Sequence, residues 1–271
     1  MLSKEKIILE ILDSLNKNIL NLKKQWDSDL GCAKHFFVDN LLNEEVAKFA
    51  YQNFPMNKGF QLNQFSSFRE RKKTFTKIDL LDKIIPNITD AFHDERVIKK
   101  IFEITKINDL ECDASLYAGG LSIMSNGDFL NPHIDNSHDS KKKRYRRLNL
   151  LYYLTPGWEI KFGGNLELWN KNVTKKITIF SKFNRLVVMN TNNLSWHSVK
   201  RVNLNKSRSC LSNYYFSKNS PNNKEYYHVT SFTGRPEEIL KRSYCKIDNY
   251  IRQKVSTIFN VSRGKKYKRV R

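Results

Sequence analysis

Six short apolar or alternating runs crowd into the middle of this chain: Ser115–Met124, Leu148–Leu154, Asn165–Trp169, Lys176–Phe180, Arg185–Met189 and Ser209–Phe216. Turn signals punctuate them, Asn126-Gly127, Pro156-Gly157, Gly163-Gly164 and several asparagine-rich stretches. Runs this short, closed this often, fit strands far better than helices. Many short strands with helical patterns set before them predict an α+β chain with a mainly β core. That core is a jelly roll (double-stranded β-helix), with helices packed on one face.

Helical periodicity occupies the two flanks. Residues 3–25 place Ile8, Ile11, Leu12, Leu15, Ile19 and Leu22 at helical spacing. Leu42 to Phe54 reads as a second helix, capped by Asp39 or Asn40 and stopped at Pro55. Residues 56–76 suggest a long loop or hairpin, and Leu80 to Phe102 a partial helix interrupted at Pro86. Beyond residue 220 a C-terminal helix is expected, with Pro236 in its first turn. Its stripe of Leu240, Tyr244, Ile247, Ile251, Val255 and Ile258 is expected to pack on the barrel or on another subunit. The chain thus divides into an N-terminal helical support region (1–111), a jelly-roll core (112–217) and a C-terminal helix with a basic tail (218–271).

Composition narrows the setting. No window is apolar enough to span a bilayer, and charges interrupt the N-terminal apolar stretch as no secretory signal allows, so a cytoplasmic location is expected. Four scattered cysteines without CxxC spacing read as free thiols. The net charge of +21 is concentrated in Lys141–Arg147 and in Arg263–Arg271, yet removing these twelve cations still leaves +9. Such a field favours anionic partners: nucleic acid, acidic lipid headgroups, or a phosphorylated or carboxylated substrate.

Chemistry concentrates at His133-Ile134-Asp135. On an extended segment the i and i+2 side chains share a face, so His133 and Asp135 can bind one ion while Ile134 packs behind them. His197, between two strand candidates, is the third ligand expected from an antiparallel barrel; His138 and His228 rank below it. Two imidazoles and a carboxylate form the open-faced set that holds non-haem Fe(II). Arg208 opens the last strand, where its guanidinium can take a dicarboxylate by two parallel bonds. Asn149, Leu151 and Tyr153 alternate along one strand, and share the expected inward face with the phenol turned to the same carboxylate.

The motifs Pro132-His133-Ile134-Asp135, Arg147–Thr155, Gly163–Leu168, Trp196–Val199 and Arg208–Phe216, in that order, resemble the iron(II)- and 2-oxoglutarate-dependent dioxygenases, in the prolyl-4-hydroxylase-like branch. The resemblance spans about residues 112–217. It implies Fe(II) on His133, Asp135 and His197, 2-oxoglutarate with its distal carboxylate on Arg208, help from Tyr153, O2 as co-substrate and ascorbate as a reductant. One departure stands out: where these enzymes often carry a tyrosine before the HxD motif, this chain has Ile123-Met124, leaving Tyr117 as the other source of a second phenol. An aspartate in the ligand set implies hydroxylation rather than halogenation, with desaturation and ring formation still open.

Substrate is the open question, because a fold does not dictate it. The Lys141–Arg147 run follows Asp135 closely, and at the rim of the site it would attract an anion. A phosphorylated or carboxylated glycan or glycolipid is expected first, aided by terminal amphipathic helices that could sit at an anionic inner membrane face. A prolyl or other protein residue comes next, then nucleic acid or a small metabolite. A non-catalytic basic barrel binding nucleic acid or membrane is the alternative of another class; it would need no iron.

Overall fold

The computed structural model describes residues 3–221, 223–259 and 269. The amphipathic N-terminus forms two helices, α1 (Lys4–Lys17) and α2 (Ile19–Asp27), rather than the single expected one. The break falls at Asn18, whose side-chain amide donates to the Ser14 carbonyl. Next comes β1 (His35–Asp39), a strand absent from the sequence reading. Asp39 therefore caps no helix; it ends β1 and pairs with Lys182 and Arg185. The cap of α3 (Glu44–Gln52) is Asn43, whose side chain accepts from the Glu45 N–H at 3.0 Å.

A hairpin of β2 (Asn63–Ser66) and β3 (Glu70–Phe75) fills the predicted loop-or-hairpin region. Pro86 does not interrupt the helix that follows. It sits in the first turn of α4 (Ile84–Phe92), where its missing N–H would have had no intrahelical partner. The interruption comes instead at Asp94, which caps α5 (Glu95–Thr105).

Ten strands follow: β4 (Glu111–Cys112), β5 (Gly120–Met124), β6 (Phe129–Ile134), β7 (Tyr145–Tyr153), β8 (Leu166–Trp169), β9 (Lys176–Ile179), β10 (Arg185–Asn190), β11 (His197–Val199), β12 (Arg208–Ser217) and β13 (Ser231–Phe232). One curled antiparallel sheet runs β1-β10-β7-β12-β5-β3-β6-β11-β8-β9, the double-stranded β-helix expected from the strand pattern. Three of its strands come from the N-terminal segment, so that region builds part of the sheet as well as supporting it.

Alternation along the strands separates two cores. Leu148, Leu150, Tyr152 and Leu154 join Leu186, Val188, Leu211 and Tyr215 under the helices, where Ile7, Ile8, Ile11 and Leu15 of α1 also pack. The opposite parity, Leu151, Tyr153, Val187, Met189 and Cys210, packs inside the barrel with Leu166 and Leu168. The apolar face of α1 is therefore consumed by the core and unavailable to a membrane.

The last helix, α6 (Ile239–Phe259), begins three residues after Pro236, which lies outside its first turn. Much of its predicted packing stripe is turned to solvent, with Leu240, Ile247, Ile251 and Ile258 exposed, whereas Tyr244 meets Phe68 edge-on with ring centroids 4.8 Å apart and Val255 turns partly toward the body. All four cysteines are free thiols, as expected. No helix among the described residues is long and apolar enough to cross a membrane. Most of the basic tail lies outside the described residues; within it, the Arg269 guanidinium is buried between Asp79 and Asp90.

Candidate metal centre and the buried arginine behind it

Antiparallel pairing of β6 with β11 sets His197 directly opposite His133, with ring centroids 4.0 Å apart. Asp135 leaves the end of β6 between them: its Oδ1 is 3.6 Å from His133 Nε2 and its Oδ2 3.9 Å from His197 Nε2. One ligand atom from each residue lies within 4.8 Å of the others, the only such cluster of three among the described residues. His138 and His228 stay outside it. His138 bonds Ser137 and stacks near Tyr145, while His228 stacks on Tyr226.

Both rings are oriented for ligation. Each Nδ1–H donates to a carbonyl two residues back, His133 to Asn131 at 2.9 Å and His197 to Ser195 at 3.0 Å. That fixes the tautomer and leaves each Nε2 lone pair for an ion. Burial holds His133 down at about 3, so it is neutral at any working pH. Phe232 of β13 stacks on its far side at 5.3 Å. Burial alone would raise the Asp135 carboxyl, but Arg146, His197 and His133 outweigh it and keep it well below the usual range. The centre thus offers the Nε2 atoms of two imidazoles and one anionic oxygen.

Arg146 is the residue that sequence reading misplaced. The basic run is expected at the rim of the site, yet Arg146 is buried, with Nη1 3.3 Å from Asp135 Oδ2 and its guanidinium 3.9 Å from the Tyr214 ring centroid. Strict alternation would aim it at the helical layer beside Leu148. A bulge redirects it: Leu148 pairs with Tyr215, but the next pair is Arg146 with Phe216, leaving Arg147 as the extra residue. A cation falling on the apolar parity of a strand was the available signal.

Beside His133 and Asp135 lies a cavity of about 330 Å³. Its wall includes Arg69, Lys72, Lys142, Arg146, Tyr214 and Phe232, closed by Arg252, Val255 and Ser256 of α6. Lys142 alone brings the exposed part of the Lys141–Lys143 run to this wall; Arg144 is held by Asp139 and Glu111. Tyr117 is buried in the same wall. Departing from the family's tyrosine, Met124 instead places its sulfur 3.4 Å from Arg208 Nη2.

Deeper in the barrel, Arg208 is buried, unlike its neighbours Arg201 and Lys206. Its Nη1 donates to the Gly164 carbonyl at 3.1 Å, and its guanidinium sits 5.2 Å from the Tyr153 ring centroid. Arg208 Nε, the Tyr153 hydroxyl and Asn149 Oδ1 are buried without hydrogen-bond partners. Burial holds the Tyr153 phenol well above its usual range, so it remains a donor. Buried polar groups are seldom left unpaired. A guanidinium nitrogen and a phenol left unpaired side by side in apolar surroundings suit a carboxylate. Leu151 packs against the same cluster as Tyr153.

Residues 119–216 match the model of the 2OG-Fe(II) oxygenase superfamily. Among solved structures, the chain is similar to a prolyl hydroxylase from Trichoplax adhaerens, in complex with a hypoxia inducible factor oxygen degradation domain peptide. The two are 17% identical, with a TM-score of 0.52, over 79% of this chain and 91% of that one. It is similar also to a Pseudomonas putida prolyl-4-hydroxylase (16% identity, TM-score 0.51, 72% of this chain and 98% of that one). A third is SnoN, a non-heme alpha ketoglutarate dependent epimerase from nogalamycin biosynthesis (11% identity, TM-score 0.52, 83% and 88%). Comparison of the sequence with the curated proteins finds no match.

Proposed function

We infer from the 2OG-Fe(II) oxygenase domain carried by this chain, a 2-oxoglutarate-dependent dioxygenase taking Fe(II), 2-oxoglutarate and O2, that it hydroxylates an unactivated C–H bond of an anionic substrate. The observation carrying this reading is the convergence of His133, Asp135 and His197 beside a cavity with a cationic wall.

When bound, iron with 2-oxoglutarate and O2 supplies the oxidising power. The protein's own groups do the rest. His133 and His197 present fixed Nε2 lone pairs, and Asp135, kept ionised beside Arg146, supplies the anionic ligand. Arg208 would take the distal carboxylate of 2-oxoglutarate, and the neutral Tyr153 hydroxyl would donate to the same group. Tyr214 and Phe232 line the ligands with hydrocarbon, which excludes water from the reacting centre.

Charge on the cavity wall supports the anionic assignment. Arg69, Lys72, Lys142, Arg146 and Arg252 face it, against Glu70 and Asp139 besides the ligand Asp135. Arg146 keeps Nε and Nη2 without hydrogen-bond partners, two donors open to a substrate oxygen. A carboxylated or phosphorylated glycan or glycolipid, with aromatic rings to pack on its sugar faces, fits this wall. A prolyl or other protein side chain is the second reading, on the likeness to the Trichoplax fold alone.

The test is anaerobic titration with Fe(II), followed by succinate formation from 2-oxoglutarate in air. Candidate anionic glycans, glycolipids and proline-containing peptides are then screened by mass spectrometry for a gain of one oxygen. One bound Fe(II) and an oxygenated anionic product are expected. Failure to bind iron removes the metal centre, and oxygenation of neutral peptides alone removes the anionic assignment.

A further inference from the structure

Helix α6 is mounted with its polar side against the body and its apolar side outward. Asp248 pairs with Arg69 at 2.9 Å, Asn249 bonds both backbone groups of Phe232, and Arg252 donates to the Thr230 carbonyl at 2.6 Å. Gln253 accepts from the Val229 N–H, and Arg242 donates to the carbonyls of Asn172 and Val173. These bonds fix the helix about its own axis, so it cannot roll its apolar stripe inward. Leu240, Ile247, Tyr250, Ile251, Ile258 and Phe259 are left between 54% and 87% exposed. Leu240, Ile247, Ile251 and Ile258 lie within about 40° of one another around the helix, with Tyr250 to one side, and a contiguous exposed apolar stripe of this kind marks an interaction surface.

The charges around that face select its occupant. Its exposed charged residues are Lys246 and Lys254; Asp248, the acid of the helix, is turned inward to Arg69. The chain as a whole carries +21, and four more cations, Arg263, Lys265, Lys266 and Lys268, follow shortly in sequence. Pairing with a second copy would bring lysine against lysine with no acid to answer it, the reverse of what self-pairing helices use along their seams. An apolar face whose exposed charges within the helix are both cations is complementary to a lipid surface with anionic headgroups. The helix would lie on that surface, since it is too polar overall to cross it.

We propose that the outward face of α6 seats the protein on an anionic lipid surface, which places the cavity beside the headgroups. Val255 and Ser256 of this helix, with Arg252, line the cavity. Seating α6 therefore brings the entrance of the site within reach of anionic groups at the surface. The seating stands on α6 alone and does not require the catalytic reading.

The test uses the full chain and sedimentation with vesicles of phosphatidylcholine containing about one third phosphatidylglycerol, against pure phosphatidylcholine. The probe variant is Ile247→Glu with Ile251→Glu, two exposed positions away from the cavity wall. Anionic vesicles should retain the protein and neutral ones should not. The double variant should weaken retention at least tenfold, on the order expected for placing two carboxylates in the interface. Fe(II) uptake and uncoupled 2-oxoglutarate turnover should be unchanged in the variant, which shows that it folds. Equal retention of variant and parent would overturn the proposal, as would no preference for anionic vesicles. So would light scattering that finds a dimer which the double variant converts to a monomer.

Discussion

Replacing Arg208 by lysine isolates geometry from charge at the buried guanidinium. The arginine lies over Tyr153 with Nε unpaired and Nη1 on the Gly164 carbonyl. Lysine keeps the positive charge but not the planar fork, so one of two parallel charge-assisted bonds to the distal carboxylate is lost. Such a bond contributes about 1.5–3 kcal/mol. At about 1.4 kcal/mol per decade, the KM for 2-oxoglutarate should rise about tenfold to a hundredfold. Arg208→Ala, which removes the charge as well, should cost about 2–5 kcal/mol and correspondingly more. The fold should tolerate either change. Gly164's carbonyl also accepts from Ser181 Oγ at 2.8 Å, so it is not orphaned. The assay is succinate formation against 2-oxoglutarate at saturating Fe(II), with Tm and metal affinity recorded in parallel. A KM within twofold of the parent would refute Arg208 as the anchor.

Four further outcomes are expected. Asp135→Ala should abolish Fe(II) binding and, by leaving Arg146 buried without its acid, destabilise the metal-free protein by about 3 kcal/mol; an unchanged urea midpoint would mean that the ion pair is idle. Gly163→Ala sets a methyl 1.9 Å from the Arg201 carbonyl oxygen at a backbone φ of +75°, so soluble yield and Tm should fall together, and a variant as stable as its parent would contradict the packing. Lys142→Gln should slow turnover of an anionic substrate while leaving uncoupled decarboxylation intact; equal loss of both would make the residue structural. Burial depresses His35, His93, His138 and His228, so the unfolded chain binds protons that the fold refuses. Their contribution is complete above the unfolded value of about 6.5 and declines as pH falls below it, so urea midpoints should drop between pH 7.5 and 5.5. A midpoint that rises on acidification would reverse that sign.

Local pattern was enough for much of this protein. Period-2 alternation identified the face shared by Leu151 and Tyr153, and the i, i+2 spacing of His133 and Asp135 placed both on one side of an extended segment. Free thiols and the jelly-roll class were also legible, because strand period and turn chemistry are written within a few residues. The break at Asn18, the cap at Asn43 and the place of Pro86 in α4 were not, since the helical period runs on across Asn18, several capping residues competed before α3, and a proline in an apolar period fits a first turn as well as a break.

Tertiary structure alone decided the rest. Only the pairing of β6 with β11 could set His197 opposite His133, because nothing in either segment names its partner. Arg146 reached Asp135 through a bulge, and one inserted residue reverses every side-chain direction beyond it. The stripe on α6 was visible in its periodicity, but its direction was not. A helical pattern states that two faces differ; which one meets the body depends on the hydrogen-bonding groups that the body presents. Here those groups, at Arg69, Val229, Thr230 and Phe232, hold the polar face.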